Sequence, residues 1–210
     1  MHVVTISATY GAGGGLVGPA VADRLGVPFV DRAIPVAVAD DLGISVDDAL
    51  SRDEQVEGWL SRMLIAAAPL SFEWTIGPDH PQTAVLSDAA ILRCTEKVIR
   101  RACTDGGVIL GRAAAIVLRD HPGAVHVRLD GDPDRRVQQA CATLGIPERE
   151  ARDAMLRNDK ARVAYVRHFY GADPASPQYY HVILDSTRVP LETCTDVIVA
   201  AAESCARRRA

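Results

Sequence analysis

Apolar and polar positions fall in short blocks along this chain. The first apolar run, Val3-Val4-Thr5-Ile6, leads into Ser7-Ala8-Thr9-Tyr10-Gly11-Ala12-Gly13-Gly14-Gly15-Leu16-Val17-Gly18. Beyond the glycines Val17, Ala20, Val21 and Leu25 recur at helical spacing and Gly26 supplies a stop, which predicts a strand, a glycine-rich loop and a helix over roughly residues 14 to 25. Val27-Pro28-Phe29-Val30-Asp31 reads as a second strand, apolar and ending in an acid. Residues 32 to about 105 read as mostly helical, with a loop from Pro69 to Gln82 that carries Phe72, Trp74 and Ile76. Gly106 to Arg112 is the third strand and Val125-His126-Val127-Arg128-Leu129-Asp130 the fourth, whose alternating polar residues suggest a place nearer a sheet edge. Asp132-Pro133 opens a helix. A densely charged helical stretch covers about 145 to 171, and Pro174 and Pro177 break the chain after it. His181 to Ser186 is the fifth strand, and a closing helix runs from Pro190 to about Arg207.

Apolar strands alternating with helices give an α/β fold with a parallel sheet and right-handed crossovers. Ligands of such sheets sit at the carboxyl ends of the strands, where Asp31, Arg112, Asp130 and Asp185 fall. The loop between the first strand and helix presents several backbone N–H groups and the positive end of a helix dipole to one point, the physical basis of a phosphate site. It contains no lysine, and no serine or threonine follows its glycines where a phosphate loop would place them.

Composition narrows this picture a little. A length of 210 residues suits one large domain or a core with an inserted lobe, and a formal net charge of -4 argues against general affinity for nucleic acid. Five widely spaced cysteines without a CxxC suggest neither a disulfide framework nor a zinc site, and they read as the reduced thiols of a cytoplasmic protein. No secretory leader is evident, and no apolar run reaches the ~20 residues of a membrane helix. No cluster of His, Cys and Asp has metal-ligand spacing. Trp59 and Trp74 mark an aromatic lobe suited to core packing, to holding a substrate, or to contact with a second subunit in a homo-oligomer.

Five segments in order resemble the cytidylate-kinase-like proteins, a branch of the phosphate-loop nucleoside monophosphate kinases. They are Ile6-Ser7 with Tyr10-Gly11-Ala12-Gly13-Gly14, Leu25 to Asp31, Val108 to Arg112, Asp159-Lys160-Ala161-Arg162 with Tyr165, and Val182 to Ser186. The resemblance implies a three-layer α/β sandwich with a five-stranded parallel sheet. It divides a single domain into a core (1–31, 106–144 and 180–210), a helical substrate lobe (32–105) and an arginine-bearing lid (145–171). It further implies that Gly11, Ala12, Gly13, Gly14, Gly15 and Leu16 bind nucleotide phosphates, that ATP and Mg²⁺ are the cofactors, and that Asp31 and Arg112 meet the acceptor. Lys160, Arg162, Arg157 and Arg167 are then the lid cations for phosphoryl transfer. The loop lysine aligns with Gly14 and the metal-holding hydroxyl with Leu16. The arginines common near this loop in the kinase-like branch align with Ala8 and Gly15.

The expected function is therefore nucleotide binding, with phosphate transferred from ATP to a nucleoside monophosphate or other small acceptor. A non-catalytic nucleotide-binding or regulatory descendant is the alternative, supported by the missing loop lysine; for the lid cations themselves the plainer reading is a solvated face paired with Asp153 and Asp159. A third reading takes Gly13 to Gly18 as a G-x-G-x-x-G turn with Asp31 as its ribose acid, making the chain an NAD-binding oxidoreductase.

Overall fold

A computed structural model describes residues 1–30, 93, 96, 97, 99–101 and 103–208. The chain divides into two compact units, Met1–Asp31 with Ile99–Ala210, and Arg32–Val98. The second lies almost wholly outside the described residues, as do Asp31, Trp59, Trp74 and the expected loop from Pro69 to Gln82.

The first unit is built on five parallel strands: β1 (Val3–Ala8), β2 (Phe29–Val30), β3 (Gly107–Leu110), β4 (Ala124–Asp130) and β5 (Val182–Asp185). Their order is β2-β3-β1-β4-β5. The helices described over their full length are α1 (Gly14–Leu25), α2 (Ala114–Val117), α3 (Pro133–Leu144), α4 (Glu148–Tyr170) and α5 (Leu191–Arg207). This is a phosphate-loop NTPase architecture. It removes the dinucleotide-binding reading, because a Rossmann sheet sets its second strand beside the first, whereas here β3 stands between β1 and β2.

One face of the sheet is apolar. Val4 and Ile6 of β1, in register with Val125 and Val127 of β4, pack with Val17, Val21 and Ala22 of α1 and Cys194, Ile198 and Val199 of α5. Each buried aliphatic side chain there contributes about 1.5–3 kcal/mol. Phe29 of β2 lies so close to α1 that a Cβ on Gly18 would stand 2.5 Å from its ring.

β4 does lie nearer an edge than the central β1, one strand in from β5, but its polar residues have another cause than an edge position. Its alternating polar residues face a buried polar seam and not water. Thr5 stands opposite His126 and Ser7 opposite Arg128. Thr5 Oγ1 and His126 Nδ1 share a hydrogen bond of 2.8 Å. Arg128 is held by Asp130 and by the Pro174 carbonyl. The short helix α2 has no sequence signal, because four residues are too few to show a period.

Candidate phosphate-binding site

The loop leaves β1 at Ala8 and enters α1 at Gly14. Gly13 caps α1 in the left-handed region at φ 75°, and Gly11 shares that conformation at φ 77°. Glycine is required at both for a second reason. A Cβ on Gly13 would lie 2.6 Å from Leu191 Cδ2, and one on Gly11 would overlap the Arg136 carbonyl. Position 15 differs, since a Cβ there meets nothing within 4 Å.

The loop is braced by side chains from four elements. Asp159 of α4 accepts from Tyr10 N–H at 3.0 Å, and Arg136 of α3 donates to the Tyr10 carbonyl at 3.0 Å. Arg136 also pairs with Asp159 at 2.7 Å, so the backbone N–H and C=O of Tyr10 are both gripped by one ion pair. Gln139 Nε2 donates to the Gly11 carbonyl at 2.9 Å and Ser186 Oγ to the Ala12 carbonyl at 2.8 Å. Thr9 N–H bonds the Leu129 carbonyl, and Thr9 Oγ1 donates to Asp130 at 2.9 Å. Among the described residues the N–H groups of Gly13, Gly14 and Gly15 have no acceptor. Three donors thus remain at the positive end of a 12-residue helix, on a backbone locked from behind.

Beside this cradle the structure gathers cations. Arg162, in the inward-facing half of α4, donates to Ser7 Oγ at 2.8 Å, and Tyr180 Oη reaches the same oxygen at 3.2 Å. Burial and the nearby Arg128 charge both work against the Arg162 guanidinium. Arg157, Lys160 and Arg167 are exposed on α4, with no hydrogen bond or ion pair among the described residues. Since Asp159 touches the loop, Arg157 and Lys160 lie within one helical turn of it. Arg167 lies about 12 Å further along α4 at 1.5 Å per residue. Asp159 pairs with Arg136 and not with the lid cations. Arg112 follows β3 in a run of three left-handed residues, Gly111, Arg112 and Ala113 at φ 77°, 56° and 54°. Two non-glycine residues held there cost about 1–3 kcal/mol each, a strain typical of functional turns.

Asp130 ends β4. Burial pushes its carboxyl up, but Arg128, Gly131 N–H and Thr9 outweigh that and hold it below the ordinary carboxylate range. Asp185 ends β5 and is likewise held low, first by Thr187. ATP and Mg²⁺ fit this site unequally. The unpaired N–H groups suit phosphate. A protein-held Mg²⁺ needs hard oxygen ligands, yet Leu16 stands 51% exposed in the hydroxyl position, and Asp130 and Asp185, the strand-end acids among the described residues, are engaged by donors. Among the described residues no group of three His, Cys, Asp or Glu side chains could hold a metal.

An open cleft of about 700 Å³ adjoins the loop, lined by Asp132, Asp134, Arg135, Gln138, Gln139 and Thr187. Sequence reasoning missed the cleft and the bracing residues Arg136, Gln139 and Ser186. The three-residue spacing of Arg136 and Gln139 on one face of α3 was the available signal.

The sequence model of the cytidylate kinase-like family matches residues 3–188. Among curated proteins, the chain is similar to the uronate isomerase of Corynebacterium glutamicum, with 26% identity over 132 residues, which is 60% of this chain and 26% of that protein. The chain therefore spans about a quarter of the length of that relative. An uncharacterized protein from Eubacterium ventriosum superposes with a TM-score of 0.66 at 19% identity, covering 97% of this chain and 99% of the other. A gluconokinase from Sinorhizobium meliloti gives 0.52 at 16% identity, covering 99% and 94%. At such identities the structural likeness is one of fold, the phosphate-loop kinase fold described above. With 186 consecutive residues matched and the glycine loop, parallel sheet and strand-end arginine in that family's order, the chain belongs to the cytidylate kinase-like family.

Proposed function

We propose that this chain binds a nucleoside triphosphate through its phosphates at Gly11 to Leu16 and passes the terminal phosphoryl group to a nucleoside monophosphate or another small acceptor. The observation that carries the reading is the set of three unpaired N–H groups at Gly13, Gly14 and Gly15, held open by bonds from Asp159, Arg136, Gln139 and Ser186. Such donors cost no reorganisation when an anion arrives. Membership of the family and the kinase-like fold support a nucleotide as the ligand. The adjoining cleft along α3 is where the rest of the donor nucleotide has room.

In the transfer step an acceptor oxygen forms a bond to the γ-phosphorus while the bond from the β,γ-bridging oxygen breaks, and ADP leaves. The developing charge on the equatorial oxygens needs cations. The loop offers none at Gly14 or Gly15, so Arg162, Lys160, Arg157 and Arg167 of the lid (145–171) carry that role. Asp31 and Arg112 hold the acceptor.

The same missing loop cation favours a second reading, a nucleotide-binding protein without transfer. Calorimetric titration with ATP and CMP, followed by an assay for ADP, separates the two. Binding with ADP release supports the first, and binding without it the second. No binding of either nucleotide at millimolar concentration defeats both.

A further inference from the structure

The strand ends contain more positive charge than the fold itself uses. Among the described residues four guanidiniums, from Arg128, Arg136, Arg188 and Arg162, stand there with three carboxylates, Asp130, Asp159 and Asp185, the last of which faces Arg188. Arg128 pairs with Asp130 and Arg136 with Asp159. Arg162 is the remainder. Among the described residues it has no acid within ion-pair distance, its one hydrogen bond goes to a neutral hydroxyl, and its Nε is buried without an acceptor. A half-buried guanidinium in that state is stabilised by an anion placed against it. The exposed Arg157 and Lys160 add to the same side of the loop.

Among the described residues the strand-end and loop-bracing carboxylates that could serve a divalent ion are engaged by donors. Asp130 Oδ1 accepts from Thr9 Oγ1 at 2.9 Å and Gly131 N–H at 3.0 Å, and its Oδ2 accepts from Arg128. Asp185 Oδ1 accepts from Thr187 N–H at 3.1 Å and Oγ1 at 2.6 Å, and its Oδ2 faces Arg188 at 3.4 Å. Both oxygens of Asp159 are taken by Tyr10 N–H and Arg136. Leu16 offers no oxygen side chain at all.

We infer that the loop takes the phosphate chain of a nucleotide as the metal-free anion, with Arg162 and its neighbours on α4 supplying the countercharge that Mg²⁺ supplies at a loop with lysine and serine or threonine. This inference rests on the nucleotide reading above and specifies the ionic form of its ligand. Uncomplexed ATP carries more negative charge than its magnesium complex, and a guanidinium beside the loop that has no ion-pair partner among the described residues, only the more distant charges of Asp159 and Asp130, favours the more charged form.

The test is calorimetric titration of the full chain with ATP, once in EDTA and once in excess Mg²⁺. The expected dissociation constants agree within about threefold, or favour EDTA. Binding tighter by about tenfold or more in Mg²⁺ overturns the inference while leaving the nucleotide reading intact. No binding in either buffer overturns both. Arg162→Gln is expected to weaken binding of ATP in EDTA by about tenfold or more, as loss of a charge-assisted hydrogen bond does. Unchanged affinity in that variant overturns the assignment of the countercharge to Arg162. The comparison of buffers uses the unaltered chain, so it stands even where the variant folds poorly.

Discussion

Gly15 is the position at which a single side chain would test what this loop lacks. A Cβ there meets nothing, the backbone is helical, and the residue is exposed. Gly15→Arg therefore returns a cation to the cradle without steric cost. It is expected to raise ATP affinity by about tenfold or more through one added charge-assisted bond. A positive charge in the first turn of α1 opposes the helix dipole and costs about 0.3–1 kcal/mol, which a small fall in the urea midpoint would register. Gly13→Ala is the contrasting case. Its left-handed backbone costs about 1–2 kcal/mol for any L side chain, and its Cβ would press on Leu191. Lower stability by about 2 kcal/mol or more and loss of nucleotide binding are expected, measured by denaturant titration and calorimetry.

At the scale of elements, α4 is tied to the loop through one residue. Asp159 joins Tyr10 N–H and Arg136, whose side chain is only 8% exposed, so removing the carboxylate strands an amide and a largely buried charge together. Asp159→Asn is expected to cost about 1–3 kcal/mol in urea denaturation and to weaken ATP binding, because the loop loses its rear brace. Loss of stability with unchanged affinity would show that the loop holds its shape without α4. Lys160→Ala leaves that brace in place and removes an exposed cation. It is expected to keep the urea midpoint while lowering any phosphoryl transfer by about a hundredfold or more, as a lost phosphoryl clamp does.

For the whole molecule, the polar seam between β1, β4 and β5 sets a pH limit. His126 is 2% exposed, stacks on His181 with ring centroids 4.8 Å apart, and has no carboxylate acting on it among the described residues. Burial first, and the His181 charge second, push its imidazole from 6.5 down to about 4. The folded state thus prefers the neutral ring. Its contribution is fully present above pH 6.5 and is lost as pH falls towards 4, to a total of about 3 kcal/mol. Thermal unfolding between pH 7 and pH 4 should show this decline, and His126→Gln should flatten it. A wild-type midpoint constant over that interval would contradict the assignment.

The one-dimensional pattern carried most of the scaffold. Strand positions followed from short apolar runs, helix limits from Gly26, Asp132-Pro133 and Pro190, and the cradle from glycines between the first strand and helix. Those are local properties: periodicity, capping and backbone freedom act between residues a few positions apart. The cause of the polar alternation in β4 was out of reach for the same reason. Whether alternating polar residues face water or a buried partner depends on Thr5, Ser7 and Pro174, each more than 40 positions away from them. Likewise Lys160 and Arg162 look equivalent in the motif Asp159-Lys160-Ala161-Arg162, yet two residues along a helix turn them to opposite sides, one to solvent and one to Ser7. The sequence by itself determined that this chain builds a phosphate cradle without its usual lysine and hydroxyl. Only the tertiary structure decided which charges stand beside it, because ion pairing is settled by distance in space, and packing spends Arg128 and Arg136 on carboxylates while leaving Arg162 with a neutral partner.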